Sequence, residues 1–269
     1  MRITFRKMHG LGNDFIVIDA RAAPVAMNPA RAAALADRRT GIGCDQLIVL
    51  EPSARADVRM RIFNHDGGEV EACGNATRAV GLLLGGSHSI ETLGGVLCAV
   101  VGDDHVTVDM GAPRFGWEDI PLAYAMDTLA LPVGWEKLEA PVAVNVGNPH
   151  VVFFVPDAGE IDLARLGPLI ENDALFPTRI NVNIASVVGP DHIALRVWER
   201  GVGLTRACGT GACATAVAAM RRGLTGRKVR VDLPGGSLQI AWPVGGAIAM
   251  TGPAQFSFEG SFEDMDYPL

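Results

Sequence analysis

Apolar and polar positions alternate with period two in many short stretches of the 269-residue chain, and with a helical period in a few longer ones. Ile3–Phe5 and Phe15–Asp19 read as strands. Between them Met8-His9-Gly10-Leu11-Gly12-Asn13-Asp14 reads as a loop whose glycines and Asn mark a sharp turn or a close approach. Pro29–Arg39 is predicted as an Ala-rich helix capped by Asn28. Leu47–Leu50 and Val58–Phe63 read as strands, Asn75–Leu84 as an apolar helix stopped by Gly85-Gly86, and Ile90–Thr92, Val96–Val101 and Val106–Met110 as an antiparallel run.

The pattern lapses from about Ala112 to Ala140, where Pro113, Pro121, Pro132 and Gly134 fall without periodicity. It restarts at Val142. A loop Val146-Gly147-Asn148-Pro149-His150 leads to a strand at Val151–Val155, then a helix at Leu163–Glu171. Extended segments at Ile180–Val188 and Ile193–Trp198 precede a second apolar helix, Thr210–Arg222, with Gly223 at its end. The expected organisation is a first domain over residues 1–113, a junction over 114–140 and a second domain over 141–254. A tail from about residue 255 to 269 is expected to pack back on the first domain.

The two halves are copies. Arg61-Ile-Phe-Asn-His-Asp-Gly-Gly-Glu-Val-Glu-Ala-Cys73-Gly74-Asn75 answers to Arg196-Val-Trp-Glu-Arg-Gly-Val-Gly-Leu-Thr-Arg-Ala-Cys208-Gly209-Thr210 at an offset of 135 positions. Gly12-Asn13 and Gly147-Asn148 keep the same offset. Later in each half Gly94-Gly95-Val96-Leu97 and Gly235-Gly236-Ser237-Leu238 are 141 apart, so a small insertion separates the two registers. The fold class this predicts is α+β: two similar, pseudo-symmetric domains from a tandem duplication. Each would be a bent antiparallel sheet or barrel wrapped around a central helix, with the active site in the cleft between them.

Composition narrows the function classes. Hydrophobic residues make up 49% and charged residues 20%, as in a globular protein. A net charge of −7 argues against a nucleic-acid face, which needs a basic stripe. The opening Met1–Gly10 lacks the apolar core of a signal peptide, and no window reaches membrane-spanning length. Five cysteines, an odd number, do not make a disulfide framework and point to a reducing cytoplasm.

A cysteine at a helix start feels the unpaired N–H groups there, which favour thiolate. The glycine after it lets a ligand reach those N–H groups, and they suit a carboxylate. One such thiol in each half predicts removal of an α-proton on one face of a carbon and its return on the other. A single Ala-Cys-Gly is ordinary packing; two at one offset are not. Cys213 reads as core, Cys98 has no partner motif and Cys44 is ambiguous. Metal ligands at short spacing are missing, and no lysine stands in a Schiff-base setting, so no metal and no cofactor is expected. A Cys–His hydrolase using His150 leaves one cysteine unexplained. A catalytically silent amino-acid binding module stays open as another class.

Met8–Phe15, Gly43-Cys44-Asp45-Gln46, Asn64 with Asp66-Gly67, Ala72–Asn75, Gly147–His150, Trp198-Glu199-Arg200-Gly201 and Ala207–Cys213 together resemble the signature blocks of the diaminopimelate epimerase family, in its order and over nearly the whole chain. The resemblance implies cofactor-independent interconversion of LL- and meso-2,6-diaminopimelate, on the route to lysine and peptidoglycan. It implies Cys73 and Cys208 as the two bases, with His150 and Glu199 supporting catalysis. Gly74-Asn75 and Gly209-Thr210 would hold the reacting carboxylate, and Asn13, Gln46, Asn64, Asn148, Asn181, Glu199 and Arg200 the rest of the substrate. A proline- or hydroxyproline-type racemase is the alternative within the superfamily. It would not need Asn64 with Glu199-Arg200. The chain departs from the family pattern at Leu204, Ala76 and Val182-Asn183-Ile184. The partner is expected to be a small molecule, with no nucleic acid and no membrane, and a homodimer is a candidate assembly.

Overall fold

The structure is a computed structural model that describes every residue except Ala72 and Pro268. The chain forms two compact units, residues 1–108 with 252–269, and residues 109–251.

In the first unit β1 (Arg2–Gly10) pairs antiparallel with β2 (Asn13–Asp19). The turn between them is only Leu11-Gly12, both at positive φ (57° and 87°), as a two-residue hairpin turn requires. The predicted long loop is thus mostly strand, and Asn13 and Asp14 open β2. After β2 come α1 (Pro29–Ala36), β3 (Gln46–Glu51), β4 (Val58–Asn64), β5 (Glu69–Val70), α2 (Gly74–Leu84), β6 (Ser87–Thr92), β7 (Gly95–Val101) and β8 (Val106–Asp109).

The second unit holds a short hairpin, β9 (Gly134–Trp135) and β10 (Leu138–Glu139), then β11 (Val142–Asn145), β12 (Pro149–Phe154), α3 (Leu163–Glu171), β13 (Asn181–Gly189) and β14 (His192–Glu199). It ends with β15 (Gly203–Thr205), α4 (Gly209–Arg221), β16 (Lys228–Leu233), β17 (Gly236–Ala241) and β18 (Ala249–Gly252). The last strand, β19 (Gln255–Glu263), belongs to the first unit and runs antiparallel to β1.

The sheets are mixed rather than wholly antiparallel. β2 and β3 are parallel across α1, and β4 and β6 are parallel across α2. In the second unit β12 and β13 are parallel across α3, and β14 and β16 across α4. A helix between two strands returns the chain to the same end of the sheet, which makes the pair parallel. Strand patterning alone does not report this.

The duplication is visible in the register. Phe15 pairs with Gln46 as His150 pairs with Asn181, and Ile62 pairs with Val70 as Val197 pairs with Thr205. Past the central helices Val58 opposes Ile90 and Ile193 opposes Val231, which places the insertion between helix and strand.

Each unit puts one helix on each side of its sheet. The central helices are buried all round, polar residues included: Gly74–Gly81 in α2, and Gly211–Met220 in α4. Backbones come close enough that a Cβ on Gly81 of α2 would lie 2.8 Å from that of Ala99. On the other side α1 sets Ala32, Leu35 and Ala36 against Ile16, Ile18, Leu47 and Val49. In the second unit α3 sets Leu163, Leu166 and Ile170 against Val151, Phe153, Val182 and Ile184. The segment expected as a junction adds Ile120, Leu122, Leu131 and Leu138 to that core, with Trp135 stacked on Phe176. Its apolar residues are spaced irregularly because they cap a core from loops, not from a helix or strand.

Trp198 lies directly on α3: a Cβ at Gly167 would fall 2.4 Å from its ring. Gly167→Ala is therefore expected to overpack the site and lower stability by about 1–3 kcal/mol, read as a lower thermal midpoint. An unchanged midpoint would mean that Trp198 moves aside freely.

Candidate active site

The first four N–H groups of an α-helix have no acceptor within the helix. In both central helices the acceptor at the start is a sulfur. Cys73 is the N-cap of α2 and its Sγ takes the N–H of Ala76 at 3.5 Å. Cys208 is the N-cap of α4 and its Sγ takes the N–H of Gly211 at 3.3 Å. Their backbone conformations nearly coincide, φ −145° and ψ 112° against φ −132° and ψ 110°. The two thiols differ in surroundings. Cys208 is 3% exposed, whereas Cys73 is half-buried. Ala72, part of the first cysteine motif, lies outside the described residues.

In the first unit Asn13 is held between two partners. Its amide nitrogen donates to Asp45 Oδ2 at 3.0 Å, and its oxygen accepts from Asn75 Nδ2 at 3.2 Å and stands 4.0 Å from Cys73 Sγ. The oxygen of Asn75 takes Arg78 Nη2 at 2.8 Å, and Arg78 is fully buried. Behind Asn13 lies a charge network. Lys7 Nζ meets Asp14 at 2.5 Å, and the Arg38 guanidinium bridges Asp14 at 2.6 Å and Asp45 at 2.7 Å. Burial works against a charged Asp14, but hydrogen bonds from Arg38 and Lys7 outweigh it and hold the carboxyl well below the usual range. On the neighbouring strands Gln46 Nε2 donates to Asn64 Oδ1 at 3.0 Å.

In the second unit Asn148 contacts the His150 ring Nε2 at 2.9 Å. His150 lies in β12, not in the predicted loop, and is wholly inaccessible. Burial pushes its pKa down to about 4, and the nearby Arg200 charge acts the same way. Asn181 spans two loops: its nitrogen donates to the Pro149 carbonyl at 2.8 Å and its oxygen accepts from the Arg200 N–H at 2.9 Å. Burial, and then the negative charge of Glu199, raise the Cys208 thiol well above its ordinary value, against the Thr210 hydroxyl and the Gly211 N–H. The helix start therefore does not by itself make this sulfur a thiolate.

The residues gathered here are themselves duplicated. At the offset of 135, Asn13 matches Asn148, Gln46 matches Asn181, Asn64 matches Glu199, and Gly74-Asn75 matches Gly209-Thr210. Three supporting residues escaped the sequence reading. Asp45 fixes Asn13. Asn183 contacts His150 Nδ1 at 3.2 Å. Glu171, 4% exposed, accepts from Trp198 Nε1 at 2.7 Å, from the Gly201 N–H at 2.8 Å and from Arg179 at 3.4 Å, and so frames the Glu199-Arg200 loop. A buried carboxylate at the end of a helical stripe was the available signal for Glu171. Cys44 and Cys213 are core, and burial pushes the Cys44 thiol up to about 12.

The fold is shared with solved structures of low sequence identity. A hydroxyproline epimerase from Agrobacterium vitis matches with TM-score 0.71 at 15% identity over 97% of this chain and 92% of that one. A phenazine biosynthesis protein of the PhzF family from Bacillus anthracis matches with TM-score 0.68 at 17% identity over 98% and 99%. These likenesses show the fold; the chain's relatives in sequence make it an isomerase of the epimerase type. The sequence profile described as diaminopimelate epimerase matches residues 5–116 and 142–257. Proteins named diaminopimelate epimerase from Erythrobacter litoralis and Rhizorhabdus wittichii are each 68% identical to this chain, over 99% and 96% of it and 100% and 94% of theirs. The chain belongs to the diaminopimelate epimerase family. No helix among the described residues is long and apolar enough to cross a membrane.

Two outcomes follow from the titration shifts. Neutral His150 is favoured in the folded chain, so its contribution to stability is complete above pH 6.5 and is lost as pH falls from there through about 4. The loss is on the order of 3 kcal/mol. Denaturant unfolding of a His150→Gln variant should show a flatter pH slope in that window, and an unaltered slope would place the proton uptake elsewhere. For Cys208, the thiolate ultraviolet absorbance that disappears in Cys208→Ala should rise only well above the ordinary thiol range. Glu199→Gln should shift that rise to lower pH. A normal thiol titration in the parent protein would contradict the burial seen here.

Proposed function

We propose that Cys73 and Cys208 are the acid–base pair with which this chain interconverts LL- and meso-2,6-diaminopimelate. The observation that carries the reading is the matched N-cap geometry of the two cysteines, one per duplicated half, in a chain of this family. Inversion at a carbon needs a base on one face and an acid on the other. One cysteine, as thiolate, takes the α-proton, and the electron pair left on the carbon delocalises into the substrate carboxylate. The other cysteine, as thiol, delivers its proton to the opposite face. The protonation states of the two sulfurs are exchanged at the end of a turnover, and the reverse reaction restores them.

The carboxylate accumulates charge during this step, and N–H groups at a helix start are placed to stabilise such charge without reorganising. Gly74-Asn75 and Gly209-Thr210 supply those groups in this reading. Asn13, Gln46, Asn64, Asn148 and Asn181 supply amide donors and acceptors. Glu199 suits an ammonium, and Arg200 the far carboxylate as a planar fork. The raised Cys208 pKa supports assigning the resting thiol to Cys208, its proton kept on by burial first and by the Glu199 charge second. The product serves lysine and peptidoglycan precursor synthesis. A cytoplasmic setting fits the odd cysteine count, and a homodimer is the assembly to look for.

The test is a proton NMR time course with LL-diaminopimelate in D₂O under reductant, with no added cofactor. Loss of the α-proton signal with growth of the meso isomer is expected. Cys73→Ala and Cys208→Ala should each reduce turnover by about 10²–10⁴-fold or more, while the exposed Cys98→Ala should not. Substantial turnover in either of the first two variants would sink the two-base scheme.

A further inference from the structure

At two places in the first unit the duplication has put a full charge where the second unit has none. Arg78, fully buried in α2, matches Cys213 at the offset of 135, and Asp45, ahead of β3, matches Ile180. Cys213 and Ile180 are themselves fully buried, so the architecture accepts uncharged side chains at both places. Sealing a guanidinium away from water carries a desolvation cost that hydrogen bonds must offset. Two of those bonds go to the Pro253 carbonyl, 3.3 Å from Nε, and to the Asn75 side-chain oxygen, 2.8 Å from Nη2. The second of them leads to the cysteine.

Arg78 and Asp45 are joined by two amides. A guanidinium only donates, so the Asn75 atom on Arg78 is its oxygen, and the Asn75 nitrogen is left for Asn13 Oδ1, 3.2 Å away. At the other end Asp45 is ion-paired with Arg38 at 2.7 Å and offers oxygens alone. The Asn13 atom 3.0 Å from Asp45 Oδ2 is therefore the nitrogen, which again turns the Asn13 oxygen to Asn75. The two ends demand the same direction. Hydrogens point one way along the whole chain, from Arg78 through Asn75 and Asn13 to Asp45, and either end alone is enough to set it. Asn13 Oδ1, which faces Cys73 Sγ across 4.0 Å, is thereby a fixed acceptor. Cys208 has instead the Thr210 hydroxyl at 3.5 Å, which is able to donate or accept.

We propose that Asp45 and Arg78 are positioning residues for Cys73: as the charged ends of a one-way chain of amides, they hold Asn13 with its oxygen to the sulfur. A fixed acceptor favours Sγ–H over the thiolate. The helix start acts in the opposite sense, and the balance of the two sets how strong a base the thiolate is. A sulfur stabilised by N–H groups alone would be a weaker base towards a carbon acid such as the α-position of an amino acid. That last step rests on the function proposed above, whereas the direction of the chain does not. Lys7, Asp14 and Arg38 complete the charged surroundings of Asp45, and the substitutions below leave them in place.

The experiment is alkylation of the whole, reduced protein by iodoacetamide at constant pH. The rate at Cys73 is read by peptide mass spectrometry, with the exposed Cys98 as reference. Asp45→Leu and Arg78→Met remove opposite charges. Charges acting directly would make the first variant faster at Cys73 and the second slower, and the double variant would return to the parent rate. Acting through the amides, each single variant leaves the other end in control, and only the double variant frees Asn13 to turn its nitrogen to the sulfur. The expected double-variant rate is about three- to ten-fold above the parent, the value of one neutral hydrogen bond, and above the product of the two single effects. A rate at or below that product would overturn the proposal. Should Arg78→Met not fold, neutron diffraction of the deuterated parent protein decides. Asn13 should show its ND₂ on Asp45 and Asn75 its ND₂ on Asn13, and the reverse at either amide defeats the idea. Neither measurement needs turnover, so a protein without epimerase activity would remove the function proposed above and leave this chain of amides to be judged separately.

Discussion

The N–H groups at the start of a buried helix have to find acceptors, and the other local features of this site are arranged around that need. The starts of α2 and α4 are largely buried, and a side chain caps each one. A sulfur does so at Cys73 and at Cys208. A sulfur is a weak acceptor, and an N-cap that binds loosely keeps its electron pair available for other chemistry. In the second helix Gly211 packs close against this cap: a Cβ there would stand 3.2 Å from the Cys208 sulfur.

The two halves solve the same folding problem and then diverge electrostatically. Around Asn13 the first unit gathers full charges, with Lys7, Arg38, Asp14 and Asp45 in one network. Around Asn148 the second unit uses an imidazole and amides, and the buried carboxylate Glu171 turns to the Trp198-Gly201 loop. A reaction that begins with one thiol and one thiolate requires two unlike environments. A duplicated scaffold provides like positions, and the side chains behind them make those positions unlike.

Much of this was legible in the sequence. The duplication, its offset and the helix starts at the cysteines rest on local patterns, and the α+β class with two similar halves followed from them. The parallel pairs were not legible, because period-two alternation looks the same in either direction and only the crossover helices distinguish them. Asn13 and His150 read as loop because glycine and proline stand beside them, yet pairing continues through both. Residues 114–140 looked like a linker because a core covered by irregular chain leaves no period. Asp45, Glu171 and Asn183 were passed over for a further reason: each acts across long sequence separation, through a residue that a motif does identify. Asn183 was visible only as a departure from the family pattern, and its meaning needed the ring it faces.

The strand β19 pairs along the whole length of β1, from Arg2 with Glu263 to His9 with Gln255. That ladder closes a loop of some two hundred and fifty residues, among the longest the chain allows, and its closure entropy must be met before its hydrogen bonds return anything. During synthesis the entire second unit has emerged before β19 exists. The interior half of this duplicated chain is thus able to mature first, while the half that begins the sequence waits for the strand that ends its sheet. Two copies of one architecture are in this way given different places in the order of folding.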